Sequence, residues 1–306
     1  MNFSNRHLLI AAKAAIFVLM AWLIADRLFL RNDIDNQWQL FTQHINGERF
    51  YLFIIAILFM PLNWVLETVK WRILLQSSYA PFKELMKGVI AGVTFGFVTP
   101  GRSGEFIGRV LYLNEQDKTK VFYLTGIGGI AQTAVTLLAG SVCLNVLVDA
   151  PFLQGIAMGL ALICTLFYFR FDLLNRLINS VPFLVRKGLT IHNTEIPSTT
   201  LLLKVFGISA ARYGIYLIQY VAVFMFFGVS TNALLLTAHN AVLRLVQSFS
   251  PLLPFMDISF RGGSALWVYG NISQNNIAIL TAALSIWVIN LVLPAVIGYV
   301  FIVRKK

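Results

Sequence analysis

The chain has 306 residues, of which 58% are hydrophobic and only 12% charged, with a formal net charge of +11 and a mean hydropathy of +0.75. A soluble domain of this length has too much surface for so few charges, so the composition points to an all-α polytopic membrane protein. Its basic excess would suit nucleic acid, but the placement of the charges, given below, argues against that partner. In chain order, Leu8 to Leu30 is the first expected span. Arg6 and Lys13 beside an apolar run resemble a signal peptide, but the run is long and carries no convincing cleavage site, so it is read as retained. Arg31 to Arg49 reads as a polar loop, and Phe50 to about Val69 as the second span.

The next apolar run, Phe82 to Val98, is too short to cross. From Lys83 onward it has about 16 residues, roughly 24 Å as helix against roughly 30 Å of hydrocarbon. It breaks at Thr99-Pro100-Gly101 and restarts with Arg102, Glu105 and Arg109. Pro100 lacks a backbone donor, and Gly101 and Gly104 tolerate unusual dihedrals, so the chain is expected to turn there. A turned backbone at membrane depth survives only when protein or a watery cavity surrounds it. The expectation is a re-entrant helical hairpin, with the Gly88, Gly92 and Gly96 ridge letting it nest between spans.

Val121 to Leu147 is the third span and Phe152 to Phe169 the fourth, joined by the turn Asp149-Ala150-Pro151. Residues 170–187 are amphipathic, with Leu173, Leu174, Leu177 and Ile178 beside Arg170, Asp172 and Arg176, which suits an interfacial helix. After a short polar linker come the fifth span, Thr199 to Phe227, and a second short apolar run, Asn232 to Ser250. Pro251 and Pro254 break it before Asp257, Arg261 and Gly262-Gly263. Asn276 to Val303 is the last span. The single membrane domain, 1–306, thus has about six spans plus two re-entrant hairpins.

With the N-terminus inside, most of the 24 Lys and Arg fall on the cytoplasmic side. Only Arg27, Arg31, Arg49, Arg212, Arg244 and Arg261 lie elsewhere. The charge is a topology signal of a cell-membrane protein with both termini cytoplasmic. This topology gives two units, about 50–147 and 199–303, each a span, a hairpin and a span. They run in opposite senses because span 152–169 intervenes. Inverted repeats whose broken helices meet near the midplane are a transporter arrangement.

Arg102, Glu105 and Arg109 share one helix face, and Glu105 can pair with either arginine. Arg102 also lies at a helix N-terminus, where an anion such as phosphate is favoured; a guanidinium fork grips it. Asp257 and Arg261 form an i, i+4 pair in the second hairpin. Arg212 is expensive in lipid and should face the interior, with Asp257 or Glu67 as partner, a choice the sequence leaves open. Asn63 and Glu67 are expected to face the interior, and Lys70 and Arg72 to be interfacial anchors. Gln132, Gln219, Asn240 and Gln247 either line a polar path or make interhelical hydrogen bonds. Cys143 and Cys164 read as small packing residues. The four histidines show no metal-ligand spacing, and no nucleotide loop, nucleophile elbow or zinc-protease motif occurs; no metal or cofactor is expected.

NWVLETVKWRILL, within Leu62 to Gln76, and GFVTPGRSGEFIGR, within Gly96 to Leu113, resemble the membrane domain of the lysylphosphatidylglycerol synthase/flippase family. The resemblance implies inverted re-entrant hairpins and movement of phospholipids or lipid-linked head groups between leaflets. It carries over Pro100, Gly101, Arg102, Gly104, Glu105 and Arg109 as the first hairpin's signature, and Asn63 and Arg72 as the preceding one. The second half departs: SPLLPFMDISFRGG stands where the family often has a proline-glycine turn followed by glutamate, and Asp257 is the expected replacement for that acid. The chain stops at Lys306, so the soluble aminoacyl-transferring domain and its synthase activity are not expected. The expectation is therefore a lipid translocator whose partners are membrane lipids with anionic head groups. The alternatives are a membrane-embedded head-group enzyme, for which Glu105 and Asp257 are the candidate pair, and an ion-coupled transporter of a small anion. The lipid, the direction, the energy source and assembly with further copies of the chain stay open.

Overall fold

The computed structural model describes residues 34–45, 49–76, 81–99, 102–113, 118–170, 197–250 and 257–305, together with a few isolated positions. The expected span at 8–30, the Pro100-Gly101 turn, the Pro251 and Pro254 break and nearly all of the amphipathic stretch 170–187 lie outside them. The described residues are helical and contain no strand. In order the helices are α1 (Ile34–Ile45), α2 (Phe50–Leu75), α3 (Phe82–Val98), α4 (Glu105–Tyr112), α5 (Lys118–Leu147), α6 (Pro151–Phe169), α7 (Thr199–Phe226), α8 (Ala233–Ser248), α9 (Asp257–Tyr269) and α10 (Asn276–Trp287). A π-helical turn, Val288–Val292, then leads into α11 (Leu293–Arg304).

Among the described residues, five segments are long and apolar enough to cross a membrane: Phe50–Leu75, Lys120–Leu147, Pro151–Phe169, Thr199–Phe226 and Asn276–Arg304. The protein is a polytopic α-helical membrane protein. Two boundaries differ from those read in the sequence. The stretch 31–49, expected to be a polar loop, contains α1, because Gln37 and Phe41 recur at helical spacing and both are buried. Gln37 Oε1 accepts the Asn276 N–H at 2.9 Å, so α1 also secures the start of α10. Helix α2 runs on past Val69 because Lys70, Trp71, Leu74 and Leu75 continue its buried face, and it ends where Gln76 turns left-handed at φ 50°. Side-chain caps start α7, α8 and α10: Ser198, Asn232 and Asn275 accept from the N–H groups of Leu201, Leu235 and Ala278.

Helices α2 and α7 pack along their lengths, α5 packs on α6 and α8, and α3 lies against α4 and α11. The glycine ridge on α3 works differently from expectation. It forms the seam of the α3/α4 pair itself rather than a surface for a neighbouring span. A Cβ at Gly92 would stand 2.6 Å from the Glu105 carbonyl oxygen, and one at Gly108 would stand 2.1 Å from the Gly92 nitrogen. Backbones this close exclude any side chain.

The apolar core falls into two clusters. One surrounds Trp64, Trp71, Leu85 and Val205; the other surrounds Phe224, Leu236, Tyr269 and Ile279. Helices α5 and α7 contribute to both, and the change from one cluster to the other falls at residues 132–136 and 209–219. Polar side chains collect there. Cys143 and Cys164 are free thiols packed against the second cluster.

Candidate functional site

The polar zone is centred on Glu67. Its helix, α2, places Asn63, Glu67 and Lys70 at i, i+4 and i+7, on one stripe with Trp64 and Trp71. All five are buried. Around the Glu67 carboxylate gather three cations from three helices. Lys70 Nζ lies 2.7 Å from Oε2, Arg109 Nη2 from α4 donates to Oε1 at 2.7 Å, and Arg212 Nη1 from α7 donates to Oε2. Arg212 also donates from Nη2 and Nε to Asn63 Oδ1 at 2.8 and 3.0 Å, and from Nη1 to Gln132 Oε1 at 3.2 Å. Of the two acids the sequence offered as partner of Arg212, the structure selects Glu67.

Lys70 is not an interfacial anchor. It is 2% exposed, paired with Glu67, and donates to the Gly128 carbonyl at 3.2 Å. A Cβ at Gly128 would crowd Leu74 Cδ1 at 3.2 Å and touch Lys70 Cε at 3.4 Å. Arg109, 3% exposed, stacks on Trp71 with its guanidinium 4.7 Å from the ring centroid, and its Nε and Nη1 have no hydrogen-bond partner among the described residues. Buried charges tolerate the loss of water only when paired in this way.

Glu105 bridges outward from this cluster. Its Oε1 lies 2.7 Å from Arg102 Nε and its Oε2 lies 3.7 Å from Arg109 Nη2, so it does pair with both arginines. Arg102 is 42% exposed on its side chain and holds a left-handed backbone at φ 58°, an uncommon conformation for a residue with a Cβ. Beside it Gly104 donates its N–H to Thr99 Oγ1 at 2.8 Å, and a Cβ at Gly104 would meet the Phe95 carbonyl at 2.7 Å. Small residues keep this turn tight.

Two cavities adjoin this cluster. The first, about 470 Å³, is lined by Glu67, Lys70, Arg102, Glu105, Arg109 and Arg212 among others. The second, about 320 Å³, is lined by Asp257, Arg261, Gln247, Trp287 and Asn290 among others. Arg102, Gln132, Thr133, Tyr216 and Arg244 line both. In the second cavity Asp257 accepts from Ser250 Oγ at 2.6 Å and pairs with Arg261 Nε at 2.6 Å, while Arg261 reaches Gln247 Oε1 at 3.3 Å. The first cavity sets five cations against two carboxylates, and the second sets three arginines against one. Both walls therefore carry an excess of positive charge.

The structure thus brings Asn63, Glu67, Arg109, Arg212, Glu105 and Arg102 into one connected network, with Asp257 and Arg261 in the adjoining cavity. Pro100 and Gly101 lie outside the described residues. Arg72 is left out: it is exposed at the end of α2 and lines a separate cleft with Ser198 and Lys204. Glu105 and Asp257, the candidate acid pair of an enzyme, line different cavities and are each tied to arginine. Of the four polar residues with two readings, Gln132 and Gln247 line the cavities. Gln219 instead donates to the Ala56 carbonyl at 2.8 Å, and Asn240 accepts from Tyr269. The sequence reading missed Lys70 as a buried member, although its spacing from Asn63 and Glu67 carried the signal. It also missed Trp287 and Asn290, which an unbroken apolar span gave no reason to single out.

The family model described as "Lysylphosphatidylglycerol synthase TM region" matches residues 10–298, nearly the whole chain. No curated protein and no solved structure matches.

Proposed function

This chain belongs to the lysylphosphatidylglycerol synthase TM region family, and we propose that it is a lipid translocase, moving a phospholipid or lipid-linked head group between the leaflets of the cytoplasmic membrane. The observation that carries this reading is the pair of adjoining, cation-rich cavities with five shared wall residues. A charged head group stalls in hydrocarbon because nothing there replaces its water. A polar, positively biased passage supplies that replacement while the acyl tails stay in lipid.

In this proposal α3/α4 and α8/α9 are re-entrant pairs that dip from opposite faces. Helices of 17 and 16 residues, about 26 and 24 Å long, are too short to span the bilayer alone. The units 50–147 and 199–303 then form an inverted repeat, with the termini cytoplasmic. Arg102 and Arg109 hold the head-group phosphate, oriented by Glu105, with Asp257 and Arg261 serving the opposite side. The half-exposed Arg102, which lines both cavities, is the residue best placed to meet the lipid first. Reconstituted into proteoliposomes, wild-type protein should flip a head-group-labelled lipid, and Arg102→Ala should slow that flipping at least tenfold. An unchanged rate in the variant removes the role of Arg102; no flipping by wild type with any anionic phospholipid removes the reading.

A further inference from the structure

The cations lining the two cavities are not equivalent. Lys70, Arg109 and Arg212 converge on Glu67, Arg102 pairs with Glu105, and Arg261 pairs with Asp257. Arg244 alone has no carboxylate partner among the described residues. Its guanidinium lies 5.1 Å from the Tyr216 ring centroid, with Tyr220 beside it in the cavity wall, and its Nε is buried without a hydrogen-bond partner among the described residues. A guanidinium left uncompensated in such a setting is costly unless an anion completes it.

The same cavity offers further unmet groups. Trp287 Nε1 and both amide atoms of Asn290 are buried with no hydrogen-bond partner among the described residues. Asn290 sits in the π-helical turn 288–292, and such turns often interrupt α-helices where a side chain has work beyond packing. An amide offers a donor and an acceptor together, which is the complement of a hydroxyl group. An ammonium head group, by contrast, needs an unengaged carboxylate. The three acids of the cavities, Glu67, Glu105 and Asp257, are all already bound to cations.

We propose that the 320 Å³ cavity is a head-group subsite for an anionic phospholipid bearing hydroxyls and no amine. Here Arg244 and the Trp287 indole N–H take over the phosphate from Arg102, which lines the same cavity, and Asn290 reads a head-group hydroxyl. The inference rests on the translocation reading for its ligand class, but its test reads binding and not transport.

The test measures the affinity of the purified full-length chain for dioctanoyl phosphatidylglycerol, phosphatidic acid and phosphatidylethanolamine, with glycerol 3-phosphate and inorganic phosphate as competitors. Wild type should bind phosphatidylglycerol at least tenfold tighter than phosphatidylethanolamine. Arg244→Gln should lose at least tenfold for both anionic lipids, and Arg244→Lys should recover part of that. Asn290→Leu should lose at least fivefold for phosphatidylglycerol while keeping its affinity for phosphatidic acid, a selective loss that misfolding does not give. The proposal is overturned if Arg244→Gln binds as wild type does, or if the amine lipid binds as tightly as phosphatidylglycerol. Competition by free phosphate or glycerol 3-phosphate as strong as that by the lipid assigns the site to a soluble ester and likewise overturns it. Wild type that binds as described but flips nothing sinks translocation and leaves this site standing; flipping with normal binding by Arg244→Gln does the reverse.

Discussion

Replacing Glu67 with glutamine tests the electrostatic centre of the fold. The side chain keeps its size and one acceptor, so packing against Trp64 and Trp71 is preserved and only the negative charge goes. Three buried cations, Lys70, Arg109 and Arg212, are then left facing one another. Breaking a buried pair from one side costs about 3–5 kcal/mol. Because one carboxylate serves all three partners, we expect about 4 kcal/mol for Glu67→Gln, the middle of that range. At about 2–3 °C per kcal/mol for a chain of this size, the thermal midpoint of detergent-purified protein should fall by about 10 °C. Adding Lys70→Met removes one stranded cation and should restore about 1 kcal/mol or more, so the two substitutions are strongly non-additive. A Glu67→Gln midpoint within about 2 °C of wild type, a shift worth no more than about 1 kcal/mol, refutes the account of one acid holding three helices together.

The helix seam makes a paired prediction. Gly108→Ala drives a methyl group onto the Gly92 backbone and should cost about 1–3 kcal/mol or more, whereas Gly126→Ala on α5, with open space around its Cβ, should gain up to about 1 kcal/mol; equal thermal midpoints for the two variants would contradict the seam. Opposed entry of the helix pairs is checked in sealed vesicles by a membrane-impermeant maleimide. Exposed Lys83→Cys and Thr231→Cys, each in a Cys143→Ser/Cys164→Ser background, should label from opposite faces. Labelling from the same face removes the inverted arrangement.

The long apolar runs were legible as membrane helices, because hydropathy alone decides where a chain can meet lipid. The Arg102–Glu105–Arg109 face was also legible, since helical spacing is local information. The partner of Arg212 was not, because Glu67 lies 145 residues away and only the packing of α2 on α7 selects it. Lys70 was misassigned for a different reason. A lysine at the end of an apolar run ordinarily reaches for the interface, and only the continuation of the buried face to Leu75 shows that this one stays inside. The stretch containing α1 looked polar because five of its twelve residues are amides or acids, yet Gln37 and Phe41, buried at helical spacing, mark an inward face. Arg244 was visible as a charge but not as one without a carboxylate; that property emerges when every other cation lining the two cavities has been given its partner among the described residues.

Helix α11 is stitched to the first helix pair. Thr94 donates to the Ala295 carbonyl at 2.7 Å, Tyr112 donates to the Phe301 carbonyl at 2.7 Å, and Gly298 sits flush on the backbone at Ile90. The chain separation across the first of these bonds is 201 residues. A ribosome therefore releases α3 and α4 long before the surface that clasps them exists. Until then the short pair must wait at the bilayer with one flank bare, so that maturation of the amino-terminal half is timed by the synthesis of the carboxy-terminal one.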